Sequence, residues 1–197
     1  MNGLVLAGGR STRMGTAKEA IHWHGKEQQY AMADLLSLFC DEVFISCRPD
    51  QLDQIASDYH GLPDAFPEMG PLGGILSALH FRNDTAWLVV ACDMPLLDEK
   101  ALDVLVRHRD AEKVATTYEG PFDGGPEPLA AIWEPKSYPL LLDFIKNGSH
   151  SPRKFLLNSK ILMLKSENPH VLRNVNTPEE AAEIESMMKR HKKGDLI

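Results

Sequence analysis

The segment Leu6-Ala7-Gly8-Gly9-Arg10-Ser11-Thr12-Arg13-Met14-Gly15, with Lys18 just beyond it, holds the densest set of residues suited to binding chemistry. Adjacent glycines let a backbone approach a ligand closely and adopt dihedrals closed to other residues. The N–H groups of such a bend form a concavity for anions. Arg10, Arg13 and Lys18 add three cations within nine residues. Phosphate is the ligand this combination suits. The spacing is neither the G-x-G-x-x-G of dinucleotide folds nor the phosphate loop that ends in Gly-Lys-Ser/Thr. On residue types alone, a glycine turn flanked by solvated basic residues is the competing reading.

The elements that must present this bend follow from hydrophobic periodicity. Leu4-Val5-Leu6-Ala7 reads as a buried strand running into the glycines, and Tyr30 to Phe39 carries a helical pattern through Met32, Leu35, Leu36 and Phe39. Val43 to Cys47 reads as a second strand and Gln51 to Tyr59 as a helix. Gly70-Pro71-Leu72-Gly73-Gly74 is a tight turn opening a helix to about Phe81, and Trp87 to Ala91 is a strand ending at Cys92-Asp93. A helix over Leu97 to Arg109 follows, then strands over Val114 to Tyr118, Leu129 to Trp133 and Ile161 to Leu164. The last helix has the clearest start: Thr177 at the N-cap, Pro178 at the first helical position and Glu180 three residues after the cap, a capping box. Strand–helix alternation implies an α/β fold, an open, mostly parallel sheet with helices on both faces in a Rossmann-like three-layer α/β/α arrangement. Ligands bind such sheets outside the carboxyl ends of the strands, where the glycines and Asp93 fall.

At 197 residues the chain is expected to form one domain, 1–197. Hydrophobic residues at 43% and charged residues at 25% are ordinary for a globular protein and exclude disordered or collagen-like chains. A net charge of −7 argues against nucleic acid as a partner. The apolar runs fall well short of the roughly 20 residues a bilayer span needs, so no membrane partner is expected. With no basic-then-apolar leader after Met1, the expected compartment is the cytoplasm. Cys40, Cys47 and Cys92 are odd in number and fit no C-x-x-C pattern, so they read as reduced thiols. His22 and His24 alternate around Trp23 without a third metal ligand nearby and read as surface residues. Lys189 to Lys193 reads as a solvated helix end.

The glycine segment, read as Leu6-Ala7-Gly8-Gly9-x-Ser11-x-Arg13-Met14-Gly15-x-x-Lys18, resembles the signature loop of nucleotidyltransferases of the molybdenum cofactor guanylyltransferase type. The resemblance continues in order along almost the whole chain. It passes through Asp64 and Gly70-Pro71-Leu72-Gly73-Gly74, Cys92-Asp93-Met94-Pro95, Pro128-Leu129-Ala130-Ala131 and Ser151-x-Arg153-x-Phe155-Leu156, and closes at Asn174-Val175-Asn176-Thr177-Pro178-Glu179-Glu180. It implies the nucleotide-diphospho-sugar transferase type of fold and transfer of GMP from GTP to the terminal phosphate of molybdopterin, with release of pyrophosphate. Leu6, Ala7, Gly8, Gly9, Lys18, Asp64 and Asp93 are then the nucleotide-binding residues, and Arg13, Lys18 and Asp93 the catalytic ones. Arg153, Asn174 and Asn176 fall on the acceptor-phosphate side. Transient contact with molybdoenzymes or their chaperones is a further expectation.

The chemistry suits these residues. A phosphate nucleophile is largely ionised already, its second pKa lying near about 6. The reaction therefore needs charge neutralisation and in-line placement rather than a general base. Asp93, a carboxylate at a strand end beside triphosphate oxygens, is the expected Mg2+ ligand. On residue type alone Asp93 and Asp64 read equally as turn aspartates, and Arg153 as a surface arginine at a helix start. Two positions depart from the family pattern. Ala17 stands where an Asp commonly precedes the signature lysine, and Ser46-Cys47-Arg48 stands where an Asn helps hold the nucleotide. A thiol lacks an amide's paired donor and acceptor, so cytidylyl transfer to the same cofactor or to a sugar or alcohol phosphate stays open. A non-catalytic cofactor carrier is the alternative of another class. The stretch Tyr118 to Pro126, rich in glycine and proline, is expected to be a mobile loop at the edge of the site.

Overall fold

Short apolar strands pair before they can turn polar faces to water, and here seven of them form one sheet in the order β3-β2-β1-β4-β6-β5-β7. The computed structural model describes residues 1–7, 22–120 and 123–194, with side chains through Met188. The strands are β1 (Asn2–Leu6), β2 (Val43–Cys47), β3 (His60–Pro63), β4 (Trp87–Ala91), β5 (Ala115–Glu119), β6 (Pro126–Trp133) and β7 (Leu162–Leu164). The helices are α1 (Gln28–Ser37), α2 (Pro71–Phe81), α3 (Glu99–Arg107), α4 (Ser137–Lys146), α5 (Pro152–Leu157) and α6 (Pro178–Gly194).

Strand β1 sits at the centre of the parallel half, with Leu4 opposite Phe44 of β2 and Val89 of β4. Strand β6 runs antiparallel to both β4 and β5, while β5 and β7 are parallel. The start of β6 therefore lies at the same end of the sheet as the finishes of β1, β4 and β5. Side chains alternate along each strand, so the sheet buries two cores. Val5, Ile45 and Val90 pack with Met32 and Leu36 of α1 and Leu102 and Leu105 of α3. Leu4, Trp87, Val89 and Trp133 pack on the other face with Leu72, Ile75 and Leu79 of α2, Leu141 of α4 and Phe155 of α5. This is the expected three-layer α/β/α arrangement.

Three details differ from the sequence reading. Gln51 to Tyr59 forms no α-helix: a 3-10 turn covers Pro49–Gln54, and Ile55 is already extended with ψ 128°. The chain leaves the helix there to bring His60–Pro63 alongside β2, with Phe44 opposite His60. Tertiary pairing overrides the weak propensity of a strand containing Gly61 and Pro63, and Pro63 is tolerated because β3 is an edge. Helices α4 and α5 are additional, and β6 begins at Pro126 rather than Leu129.

Candidate active site

Asp93 is positioned by the way β4 ends. The Cys92 N–H donates to the Leu6 carbonyl at 3.2 Å, carrying the β1–β4 ladder one step past the strands. Asp93 thus leaves the sheet where β1 itself runs out through Leu6 into buried Ala7. The turn after it is pinned by a fully buried Met94 and by His24, whose Nε2–H donates to the Pro95 carbonyl at 2.9 Å. His24 therefore has a structural partner. Among the described residues no group of three or more His, Cys, Asp or Glu is placed to hold a metal.

The closing motif comes to the same place from far along the chain. The Val175 N–H donates to the Asp93 carbonyl at 2.8 Å, which sets Asn174 and Asn176 on either side of that contact. Just beyond, the capping box closes as the sequence specifies. Thr177 Oγ1 accepts from the Glu180 N–H at 3.2 Å, while Glu180 Oε2 accepts from the N–H groups of Thr177 at 3.1 Å and Asn176 at 2.6 Å. A helix cap of this kind contributes about 1 kcal/mol, and here it also holds the backbone of Asn176. Asn174 Oδ1 is buried and has no hydrogen-bond partner among the described residues.

Asp64 follows β3, at the same end of the sheet, and is tied to α2. Its Oδ1 accepts from the Phe66 N–H and from Ser77 Oγ, both at 2.8 Å, and Ser77 Oγ in turn accepts from the Ala65 N–H at 2.9 Å. Helix α2 opens on Gly70, with φ +57°, and Pro71. Its first turn approaches so closely that a Cβ at Gly73 would stand 2.4 Å from the Phe66 carbonyl oxygen and 2.9 Å from Asp64 Oδ2. A Cβ at Gly74 would stand 2.5 Å from Leu6 and 2.8 Å from Ser46 Oγ. The glycines of the Gly-Pro-Leu-Gly-Gly turn are thus the condition for packing α2 onto the ends of β1, β2 and β3. Ser46 is buried beneath it, Cys47 is buried on the opposite face of the sheet against Gly61, and half-buried Arg48 pairs with Asp50 at 3.1 Å. Burial pushes the Cys47 thiol above its usual range.

Arg153 begins α5, whose N-cap Ser151 accepts from the Lys154 N–H at 3.2 Å. Its guanidinium lies against the β5–β6 hairpin, where a Cβ at Gly125 would meet Nη2 at 2.7 Å, and it ion-pairs with Asp123. The expected loop over Tyr118 to Pro126 is largely this hairpin: Tyr118 and Glu119 belong to β5, Pro126 opens β6, and the Gly120 N–H donates to the Gly125 carbonyl at 2.7 Å.

The structure therefore brings Leu6, Ala7, Asp64, Asp93, Asn174, Asn176 and Arg153 to one end of the sheet. Gly8, Gly9, Arg13 and Lys18 lie outside the described residues. Two contributors escaped the sequence reading. Ser77 clasps Asp64 across thirteen positions, a contact without local signature. Glu127 lies within β6, adjoining Pro128-Leu129-Ala130-Ala131, and a carboxylate inside a strand that is buried on both faces was the available signal. A cavity of about 620 Å³ lined by Asn2, Glu42, Arg82 and Asp84 opens at the opposite end, by the starts of β1, β2 and β4. Its Glu42 is already paired to Arg82, and it shares none of the residues above.

Residues 3–162 match the MobA-like NTP transferase domain family. The chain is 34% identical over 185 residues to the molybdenum cofactor biosynthesis bifunctional protein of Synechocystis sp., a match that covers 92% of this chain and about half, 53%, of that protein's length. It is 31% identical over 186 residues to the molybdenum cofactor guanylyltransferase of Pseudomonas entomophila, covering 89% of this chain and 93% of that one. The crystal structure of molybdopterin-guanine dinucleotide biosynthesis protein A from Archaeoglobus fulgidus superposes with a TM-score of 0.80 at 23% identity, over 96% of this chain and 100% of that one. That likeness shows the shared nucleotide-diphospho-sugar transferase fold. With a family match over most of its length, the chain belongs to the MobA-like NTP transferases.

Proposed function

We propose that this protein is a cytoplasmic, single-domain molybdenum cofactor guanylyltransferase, transferring GMP from GTP to the terminal phosphate of molybdopterin. The observation that carries the reading is the 2.8 Å hydrogen bond from the Val175 N–H to the Asp93 carbonyl. It joins the closing asparagine motif to the aspartate at the carboxyl end of the parallel strands, in a chain whose relatives are named for this reaction.

In the proposed reaction an oxygen of the acceptor phosphate forms a bond to the α-phosphorus of GTP. The bond from that phosphorus to the bridging oxygen breaks, and pyrophosphate leaves with the electron pair. The nucleotide lies over the β1–β2–β3 half, against Leu6, Ala7 and the backbone of Gly8 and Gly9, with Asp64 holding the loop before α2. Lys18 and Arg13 neutralise phosphate oxygens, Lys18 as a point charge and Arg13 as a fork. The acceptor lies over the β4–β6–β5 half, where its phosphate draws Arg153 from Asp123. Asn174 and Asn176 offer amide donors to that phosphate.

The donor set fits Mg2+, a hard cation that takes one or two carboxylates and keeps several waters. Asp93 would supply a carboxylate, and Asn174 Oδ1, buried and without a hydrogen-bond partner among the described residues, would supply an amide oxygen to the water shell of the cation. When bound, the cation spreads the negative charge of the triphosphate and clamps its oxygens. Contact with molybdoenzymes or their chaperones at delivery belongs to the same proposal.

The test is pyrophosphate release with molybdopterin, Mg2+ and either GTP or CTP, in the wild type and in Asp93→Ala. Turnover with GTP, abolished in a variant of unchanged circular dichroism, is the expected result. Turnover with CTP alone assigns the cytidylyl reaction. Nucleotide binding without pyrophosphate release assigns a carrier.

A further inference from the structure

Glu127 has a setting that the reaction as described does not use. It is the second residue of β6 and is only 9% exposed. Val90 of β4 pairs with Ala130 of β6, the last pair before β6 is interrupted, and the Asp93 carboxylate beyond the end of β4 is close enough to act on the Glu127 charge. On its other flank, Arg153 packs against Gly125. Glu127 therefore stands between the cation-holding aspartate and the arginine of the acceptor side.

A bulge creates this placement. In β5, Thr117 pairs with Ala131 while its neighbour Tyr118 pairs with Glu127, so Pro128, Leu129 and Ala130 have no partner there. Bulges bend a strand and re-aim its side chains. The exposed backbone groups of this one are satisfied locally. Thr117 Oγ1 donates to the Glu127 carbonyl at 2.5 Å, Trp133 Nε1 donates to the Pro128 carbonyl at 3.2 Å, and the Leu129 N–H donates to Glu127 Oε1 at 3.1 Å. An uncharged acceptor would serve that last bond equally well. Glu127 makes no ion pair with any cation among the described residues: Arg153 is engaged by Asp123, and Lys165 stands by Glu119. Burial, followed by Asp93 and Asp123 nearby, pushes its carboxyl up, while the Leu129 N–H and then Arg153 pull the other way. A buried carboxylate is costly unless something with N–H donors or positive charge meets it. At the acceptor side of this cleft, a role on the acceptor is the economical explanation.

We propose that Glu127 is a specificity-determining residue, its carboxylate accepting the N–H donors of the acceptor's 2-amino-4-oxopyrimidine ring. The inference rests on the reading of molybdopterin as acceptor. Guanine carries the same donor edge, but the nucleotide occupies the β1–β2–β3 half, across Asp93 from Glu127.

The experiment measures binding of molybdopterin without nucleotide, and of GTP without acceptor, to the wild type and to Glu127→Gln. Glutamine keeps an oxygen for the Leu129 N–H and loses the charge. Molybdopterin affinity falls by about tenfold to a hundredfold, the range for a hydrogen bond to a charged group, and GTP affinity stays within about twofold. Loss of GTP affinity alone would assign Glu127 to the guanine. Unchanged affinity for both, or an equal loss for both with a lowered Tm, would leave it as a clasp for the bulge. Each of these results overturns the proposal. A second measurement needs no variant. The wild type discriminates pterin from lumazine, which lacks the 2-amino group, when each competes with molybdopterin, and equal competition refutes the inference. If the wild type binds no molybdopterin, the reading of the acceptor fails and this inference with it. If it binds and the glutamine variant binds as well, only the role of Glu127 fails.

Discussion

Replacing Gly73 by Ala probes the mounting of the nucleotide half. The new methyl would stand 2.4 Å from the Phe66 carbonyl oxygen and 2.9 Å from Asp64 Oδ2. An ordinary contact needs about 1 Å more, so α2 or the Asp64–Phe66 turn must move. Neither moves freely. The turn is held by Ser77 through hydrogen bonds of 2.8 and 2.9 Å, and α2 buries Leu72, Ile75, Leu76 and Leu79 completely. Overpacking costs about 1–3 kcal/mol, and stretching the Ser77 bonds adds about 1 kcal/mol. The sum, about 3 kcal/mol, corresponds to a Tm lower by about 6–12 °C in a domain of this size. Displacing Asp64 also raises KM for GTP while leaving KM for the acceptor unchanged. Thermal melts and steady-state kinetics read both. A variant that melts within about 1 °C of the wild type would show that α2 does not pack against the Asp64 turn as described.

Two other perturbations test the scaffold. Arg109 holds Glu134 by paired hydrogen bonds of 2.7 and 2.9 Å, and the glutamate side chain is 2% exposed against 34% for the arginine. Arg109→Met strands that charge, and because water reaches the arginine the loss falls at the low end of the range for a broken buried pair, about 3 kcal/mol. Adding Glu134→Gln recovers most of it, and melts of the single and double variants check both statements. Tyr118 donates its hydroxyl to the Ala101 carbonyl at 2.7 Å, and burial pushes its pKa up from 10.0 to about 12. Between those values the unfolded chain has released this proton and the folded chain has kept it, so stability falls as pH rises across that window. Tyr118→Phe flattens this fall in denaturant titrations. Ultraviolet titration of the folded wild type leaves one tyrosine protonated above the ordinary range, and complete ionisation of all four near pH 10 would contradict this burial.

The fold was legible where local physics and tertiary structure agree. The run Trp87 to Ala91 is apolar on both sides because β4 is buried on both faces, and Thr177-Pro178-x-Glu180 announces α6 because a cap is a local device. His60–Pro63 was silent, since its strand character comes from pairing with β2 rather than from its own residues. In α4, Pro139 reads as a breaker although the first turn of a helix tolerates proline, and α5 is only six residues long, too short to show a period. At the site, Asp93, Asn174 and Asn176 were named from motifs, but their meeting through Val175 joins positions some eighty apart in the chain. The bulge that places Glu127 is likewise a property of two strands together. The inaccessibility of Cys47 follows from its burial against Gly61 of the neighbouring strand, which residue type alone does not reveal.

The central claim is that one crevice at the carboxyl end of the parallel strands gathers triphosphate and cation around Asp93. Crystals soaked with GTP and Mn2+, with diffraction recorded at the manganese edge, test it most directly. The expected anomalous peak lies against the Asp93 carboxylate and the phosphates, with the nucleoside over β1, β2 and β3. A nucleotide bound in the cavity between Asn2 and Asp84, or a peak remote from Asp93, would contradict the account.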